Sequence, residues 1–357
     1  MVSWRDPQHP RAGGAERYTA LALRALVEDG MRVTWLVPAV RGLPATASLD
    51  GVTIVRRGRG VAHVPAAAAY LARHRRTIDL VIDQANGYPM FTMAAYRGPR
   101  LLMIHQLARD VWFHHLPWPL ARIAYALEPW SLLPYRRGAA VTVSRSTAQD
   151  LEAWGFGDVR VVPIAVEAPE PVAARTPPSP PRFVALGRLV ASKRLDHVLD
   201  AFELVRASIP EARLHVIGSG HGRVADALEA RAERVPGASL ERDVSEARKW
   251  DLLRRATALV ATSVREGWGL VATEAHAVGT PTVAYDVHGL RDSTTHGVNG
   301  LMCEPTPRAA AEAMLHLAQD SERWHTLNVG AMHTAAAHTV ERLSASMVAL
   351  VRELIDG

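Results

Sequence analysis

Six prolines fall within residues 165–181, Ala-Val-Glu-Ala-Pro-Glu-Pro-Val-Ala-Ala-Arg-Thr-Pro-Pro-Ser-Pro-Pro, and this stretch decides how the chain is divided. Each proline fixes φ and removes a backbone donor, so neither a helix nor a central strand can run through it. On both sides, short apolar β-branched runs alternate with helical stretches. Strands are expected over 32–37, 52–55, 80–83, 101–105 and 140–143 before it, and over 183–186, 213–217, 258–261 and 282–285 after it. Most of these runs are continuously apolar, the pattern of strands buried on both faces of a parallel sheet. Helices are expected over 15–29, closed by Gly30, and over 195–208, closed before Pro210. The β-α-β-α order predicts α/β architecture: two Rossmann-like domains in tandem with a central cleft. Their bounds are 1–164 and 182–335, joined by the linker 165–181. Two helices, about 322–336 and 341–355, finish the chain, with 336–357 expected to pack on the first domain.

Composition narrows the function classes. A length of 357 residues, 48% hydrophobic and 22% charged, suits two globular domains and excludes wholesale disorder. The single cysteine, Cys303, excludes an internal disulfide and a thiolate zinc site. No run approaches the ~18 apolar residues of a membrane span, and Met1-Val2-Ser3-Trp4-Arg5-Asp6 lacks the apolar core of a signal peptide. A cytoplasmic protein is therefore expected. Residues 1–166 hold 20 arginines, no lysine and 12 acidic residues, a charge of +8; residues 167–357 hold 21 basic and 24 acidic residues, a charge of −3. The halves can meet different partners, or the arginines can form a solvated surface.

Three loops carry residue types suited to chemistry. In His9-Pro10-Arg11-Ala12-Gly13-Gly14-Ala15-Glu16 two glycines precede a helix, whose free N–H groups suit an anionic group; a plain tight turn also fits. Gly187-Arg188-Leu189-Val190-Ala191-Ser192-Lys193 follows the first strand of the second domain. There Arg188 and Lys193 could clamp a diphosphate without a metal, or form a solvated helix start. The most specific string is Val264-Arg265-Glu266-Gly267-Trp268-Gly269-Leu270-Val271-Ala272-Thr273-Glu274-Ala275. It sets one carboxylate in a loop and another in the following helix, with the N–H groups of Gly269 and Leu270 at the helix start. Carboxylates accept bidentate hydrogen bonds from vicinal hydroxyls, which suits a sugar and a ribose. No Asp-x-Asp metal motif stands at a strand end.

Glu266-Gly267-Trp268-Gly269-Leu270 with Glu274 resembles the Glu-x7-Glu signature of the family 4 retaining glycosyltransferases of the GT-B fold. His9-Pro10 with Gly13-Gly14, Gly187-Arg188-Leu189 with Lys193, and Val216-Ile217-Gly218-Ser219-Gly220 extend the resemblance. So do Asp286-Val287-His288-Gly289-Leu290-Arg291-Asp292 and Gly297-Val298-Asn299-Gly300-Leu301, so that it covers nearly the whole chain. The resemblance implies transfer of a hexose-type sugar, as in hexosyl- or mannosyltransferases, from a UDP- or GDP-linked donor to an acceptor on the N-terminal domain. It implies that Glu266 contacts the sugar hydroxyls, Glu274 the ribose, and Arg188 and Lys193 the diphosphate, with the Gly13-Gly14 backbone opposite. Gly218 and Val244 lie by the base, and His105 in Ile104-His105-Gln106 lies near the reacting carbon. The nucleotide sugar is a substrate, and no cofactor or metal is expected. Ser144 matches a strand-end motif and equally suits a helix N-cap. The chain departs from the pattern in its short first strand, Val2-Ser3-Trp4, for which either a start upstream of Met1 or a short strand with a weak edge is expected, in Arg242 where a glycine is usual, and in Trp268 for the commoner Phe.

On the acceptor side, Arg56-Arg57-Gly58-Arg59 and Arg73-His74-Arg75-Arg76 flank a helix over 65–73, and residues 112–120 concentrate aromatics. Such residues meet anionic headgroups and a lipid-linked acceptor at the inner membrane face; equally, the tryptophans could pack under the last helices, leaving a soluble sugar or other small-molecule acceptor. Nucleic acid is disfavoured, since no recognition helix or RNA-binding motif is present. Two rival readings are an epimerase of the same fold and a non-catalytic sugar-nucleotide binder.

Overall fold

The computed structural model describes residues 1–169 and 175–357; Glu170–Ala174 of the proline-rich stretch lie outside the described residues. The chain forms two compact units, Met1–Trp112 with Trp118–Ala165 and Val340–Gly357, and Phe113–Pro117 with Val166–Thr339. The sequence-based division differs at three places: it assigned Phe113–Pro117 to the first domain, set 165–181 apart as a linker, and counted 336–339 with the last helix of the first domain. Arg175 shows why linker residues belong with the second unit. Its guanidinium donates to the carbonyls of Val278 and Ala256 and to Thr280 Oγ1 at 2.9–3.0 Å. Burial pushes its pKa down to about 10.

The first unit contains β1 (Thr34–Val37), β2 (Thr46–Leu49), β3 (Val52–Arg56), β4 (Val81–Ala85), β5 (Arg100–Ile104), β6 (Ala139–Thr142) and β7 (Asp158–Val161). Its helices are α1 (Gly14–Glu28), α2 (His63–His74), α3 (Trp112–His115), shared with the other unit, α4 (Trp118–Leu132) and α5 (Arg145–Ala153). Strands run β1-β3-β2 in one group and β4-β5-β6-β7 in another, with only β2 antiparallel to its neighbour. The first three residues join the groups. Val2 bridges Leu36 of β1 on one side and Asp83 of β4 on the other, with Leu36 N donating to Met1 O and Val2 N to Ile82 O, both at 2.8 Å. The Val2-Ser3-Trp4 strand is thus not a weak edge. Val2 is paired on both sides and buried between its neighbours.

The second unit contains β8 (Arg182–Arg188), β9 (Arg213–Ser219), β10 (Ala238–Arg242), β11 (Ala258–Ala261), β12 (Thr282–Tyr285) and β13 (Gly300–Cys303). All are parallel, in the order β10-β9-β8-β11-β12-β13. This is the doubly wound order 3-2-1-4-5-6, which reverses between β8 and β11. Its helices are α6 (Leu195–Ser208), α7 (Arg223–Ala232), α8 (Glu246–Arg254), α9 (Leu270–Ala277), α10 (Leu290–Ser293), α11 (Pro307–Gln319) and α12 (Ser321–Ala335). The interior strand faces are apolar on both sides, as a parallel sheet covered by helices requires, and Phe183, Phe202, Leu214 and Met314 are fully buried there. The last helix, α13 (Val340–Asp356), belongs to the first unit and packs on α1. Arg352 of α13 reaches Asp29, at the end of α1, at 2.8 Å.

One arginine of the supposed basic surface is internal. Arg56, at the end of β3, is 3% exposed and donates to Asp6 at 2.9 Å, to Gln8 Oε1 at 2.6 Å and to the Pro44 carbonyl at 3.0 Å. Asp6 is 1% exposed. Removing one member of a buried pair strands the other charge, so Asp6→Ala is expected to destabilise the first unit by about 3–5 kcal/mol. Asp6→Leu with Arg56→Met should recover most of that loss. Denaturant midpoints of the three proteins decide it, and a single variant as stable as wild type would contradict the assignment.

Candidate active site

In an open α/β sheet, ligands meet the carboxyl ends of the strands where the order reverses. In the second unit that place lies between the loops after β8 and β11, which are bonded to each other. Thr262 Oγ1 donates to the carbonyls of Lys193 and Arg194 at 3.0 and 2.9 Å, and Val264 N donates to Ser192 O at 2.9 Å. Across this join Lys193 forms an ion pair with Glu266, and Ser263 Oγ donates to the same carboxylate oxygen at 2.6 Å. Both charged side chains keep some exposure, 18% and 14%. Arg188, the last residue of β8, is exposed on the same loop. The structure therefore brings together Lys193 and Glu266, two residues singled out in the sequence, with the third, Arg188, at the strand end that leads into the Lys193 loop.

The backbone around Glu266 is fixed from the next loop. Glu266 N donates to His288 O at 3.0 Å. Gly289 has φ +80°, and a Cβ there would stand 2.2 Å from Glu266 O, so only glycine lets the two loops approach. Gly269, at φ +89°, caps α9, and Leu270 begins it.

Glu274 lies on the buried side of α9, and its carboxylate meets Lys249 of α8 at 2.7 Å; their side chains are 8% and 6% exposed. Lys249 also reaches Glu246 at 2.7 Å and lies over the Trp250 ring. Lys249 and Ser263 are the residues that the sequence reading missed. One signal was available: Lys193 and Lys249 are the only lysines in a chain otherwise using arginine, and they face Glu266 and Glu274 respectively.

At the β9 end, a Cβ on Gly218 would stand 2.0 Å from the Gly187 carbonyl oxygen, so adjacent backbone demands glycine there. Val244, in the loop after β10, is half-buried against the cluster containing Trp250. Arg242 is occupied by Asp226 and Glu229 of α7.

In the first unit, Gly13 N donates to Glu16 Oε2 at 2.8 Å, and Arg5 Nε donates to the other oxygen at 2.8 Å. Gly13 is extended and Gly14 opens α1; a Cβ on Gly13 would find only ordinary contact with Glu16 at 3.8 Å. Neither strain nor crowding by the protein requires that glycine.

His105 follows β5 and is 7% exposed. Its Nε2 lies 2.6 Å from the Gln84 amide nitrogen and 3.3 Å from Thr19 Oγ1. Burial lowers the His105 pKa from 6.5 to about 4, so the ring is neutral at physiological pH. Ser144 caps α5, accepting from Thr147 N at 3.3 Å. Among the described residues, no group of three or more His, Cys, Asp or Glu side chains is arranged to hold a metal ion.

Residues 12–170 match the family model for Glycosyltransferase Family 4, and residues 169–331 match that for Glycosyl transferases group 1. Glycogen synthase of Mycobacterium tuberculosis is 30% identical over 248 residues, 67% of this chain and 59% of that protein. D-inositol 3-phosphate glycosyltransferase of Thermobispora bispora is 31% identical over 182 residues, 48% of this chain and 42% of that protein. The chain thus spans about three-fifths or less of the length of these curated relatives. Among solved structures, sucrose-phosphate synthase from Thermosynechococcus elongatus superposes with a TM-score of 0.82 at 19% identity, covering 99% of this chain and 98% of that one. The Anabaena protein HepE in complex with UDP-glucose gives 0.72 at 14% identity, with 99% and 98% covered.

The neutral histidine makes a pH prediction. Between about pH 6.5 and 4 the unfolded chain protonates this ring while the folded one does not, so folding stability drops as pH falls through that window and is unaffected above it. His105→Gln should remove up to ~1.4 kcal/mol per pH unit of that slope. Denaturation of both proteins from pH 7 to 4.5 checks it; parallel slopes would refute the buried neutral ring.

Proposed function

The chain belongs to the family 4 glycosyltransferases of the GT-B fold, and from that premise we propose that it moves a hexose-type sugar from a nucleoside diphosphate sugar to an acceptor with retention at the anomeric carbon. The observation that carries the reading is the Lys193–Glu266 pair at the switch point of the second unit's sheet, with Arg188 exposed at the end of β8. On this reading Glu266 accepts hydrogen bonds from sugar hydroxyls and Glu274 takes the ribose. Arg188 and Lys193 hold the diphosphate, and the N–H groups of Gly269 and Leu270 donate at the start of α9. As the glycosidic bond breaks, negative charge develops on the leaving phosphate, and two fixed cations stabilise it without a metal. On the first unit, the backbone of Gly13 and Gly14 and the neutral His105 are proposed for substrate contact.

Retention through a front-side displacement with an oxocarbenium-like transition state is favoured over a covalent intermediate. The buried carboxylates of the first unit are each committed to protein donors. Asp83 accepts from Met90 N, Thr92 N, Thr92 Oγ1 and Tyr135. Glu128 accepts from Ala108 N, Arg109 N and Trp112 Nε1, Glu16 from Arg5 and Gly13, and Asp6 from Arg56. A carboxylate so bonded is a weak nucleophile. The UDP-glucose of the HepE complex makes a UDP-hexose the donor to test first. The acceptor is proposed to be a sugar or a lipid-linked group at an anionic membrane surface on the cytoplasmic side, met by the arginine-rich first unit.

A screen of UDP- and GDP-sugars, each with and without acceptors, tests the reading through nucleoside diphosphate release. Conversion of donor to an isomeric sugar nucleotide, or no turnover at all, would overturn it. Arg188→Ala and Lys193→Ala should each lower turnover by at least ~10²-fold, because each removes a bond that strengthens in the transition state. Two variants within threefold of wild type would contradict the leaving-group role. EDTA should leave the rate unchanged, whereas a loss restored only by Mg²⁺ or Mn²⁺ would assign that role to a metal.

A further inference from the structure

We infer that the outward face of α4 docks this protein on an anionic lipid bilayer. The helix packs on its own unit through Ala121, Ala124, Glu128 and Leu132. Its opposite face carries Leu120, Ile123, Leu127 and Trp130, which are 54%, 55%, 51% and 69% exposed. Their spacing of three, four and three places them in one stripe, so this helix is apolar on both faces. A lone exposed hydrophobic is ordinary; a continuous exposed stripe marks an interaction surface. Trp118, 63% exposed, opens the helix with Arg122 over its ring at 5.0 Å. The aromatic stretch noted in the sequence divides here. Trp112 turns inward, donating to Glu128 at 3.2 Å, whereas Trp118 and the α4 stripe are exposed.

Charge selects the occupant. Residues 109–150 hold five arginines and three carboxylates, Asp110 and Asp150 at the two ends and one on α4. The α4 carboxylate, Glu128, is 1% exposed and bonded to backbone N–H groups. Arg122, Arg136 and Arg137 are exposed, so the formal charge that this stretch presents to solvent is positive. A two-fold contact between copies through this face would bring like charges together, whereas a bilayer supplies acyl chains for the stripe and phosphates for the arginines. The fifteen residues of α4 span about 22 Å. No helix among the described residues is long and apolar enough to cross a membrane. The helix would therefore lie in the interfacial plane, with its tryptophans at headgroup level.

The inference rests on the reading that the chain works at a membrane, and the test separates the two. Sedimentation is measured with vesicles of phosphatidylcholine alone and with vesicles containing roughly 30% phosphatidylglycerol, whose anionic headgroups give the surface the negative potential that attracts basic residues. The proteins are wild type, Ile123→Ser/Leu127→Ser/Trp130→Ser, and Arg73→Ala/Arg75→Ala/Arg76→Ala. Wild type should bind the anionic vesicles, and the stripe variant should bind them about 10²-fold more weakly, with donor hydrolysis and circular dichroism unchanged. If wild type binds neither vesicle, the membrane reading and this inference both fail. If the stripe variant binds like wild type while the arginine variant does not, the α4 assignment fails and the membrane reading stands. A concentration-dependent dimer, abolished in the stripe variant without any lipid binding, would make the face a self-interface and overturn the inference.

Discussion

Two ammonium groups hold the candidate site together. Lys193 joins the loop after β8 to Glu266 in the loop after β11, and Lys249 joins α8 to Glu274 on α9. Without a counter-charge, two carboxylates this shielded from water would be costly to keep ionised. Lysine differs from arginine in ways that suit the place. A guanidinium offers a planar fork that locks onto one carboxylate, whereas an ammonium is a compact charge with three donors on a flexible stem. It can hold Glu266 through one N–H and still offer further donors. That 39 of 41 basic residues are arginine makes these two exceptions informative.

The sheets show what sequence can and cannot reveal. The interior strands were legible because they are continuous apolar runs. β2, β7, β10 and β13 were not, and all four stand at sheet edges. An edge strand is paired on one side and partly solvated, so it carries residues such as Asp158, Arg160, Glu241 and Arg242 that mimic loops. Val2-Ser3-Trp4 erred the other way. Its brevity suggested weakness, but pairing on both flanks places it at the centre of its sheet.

The site was legible to a similar degree, for a different reason. Glu266 and Lys193 sit in the loops after β11 and β8, Arg188 ends β8 and Glu274 lies within α9, and the strings that carry them signal chemistry by residue type. Lys249 lies within a helix whose pattern reads as a charged surface, and only the fold turns it inward to Glu274. Gln84 is similarly hidden, since a glutamine at a strand end carries no signal until β4 and β5 align it with His105. Arg56 shows the converse, a cluster of arginines suggesting surface while one member is held inside by Asp6.

Because α13 packs on α1 but follows every element of the second unit, the first unit is discontinuous in sequence. During synthesis its strands emerge first, yet the groove along α1 stays uncovered until the whole second unit has left the ribosome. The second unit draws mainly on one continuous stretch and can settle while that groove is still open. Nascent chains stalled before α13 would hold an incomplete first unit, the form most exposed to chaperones and proteases.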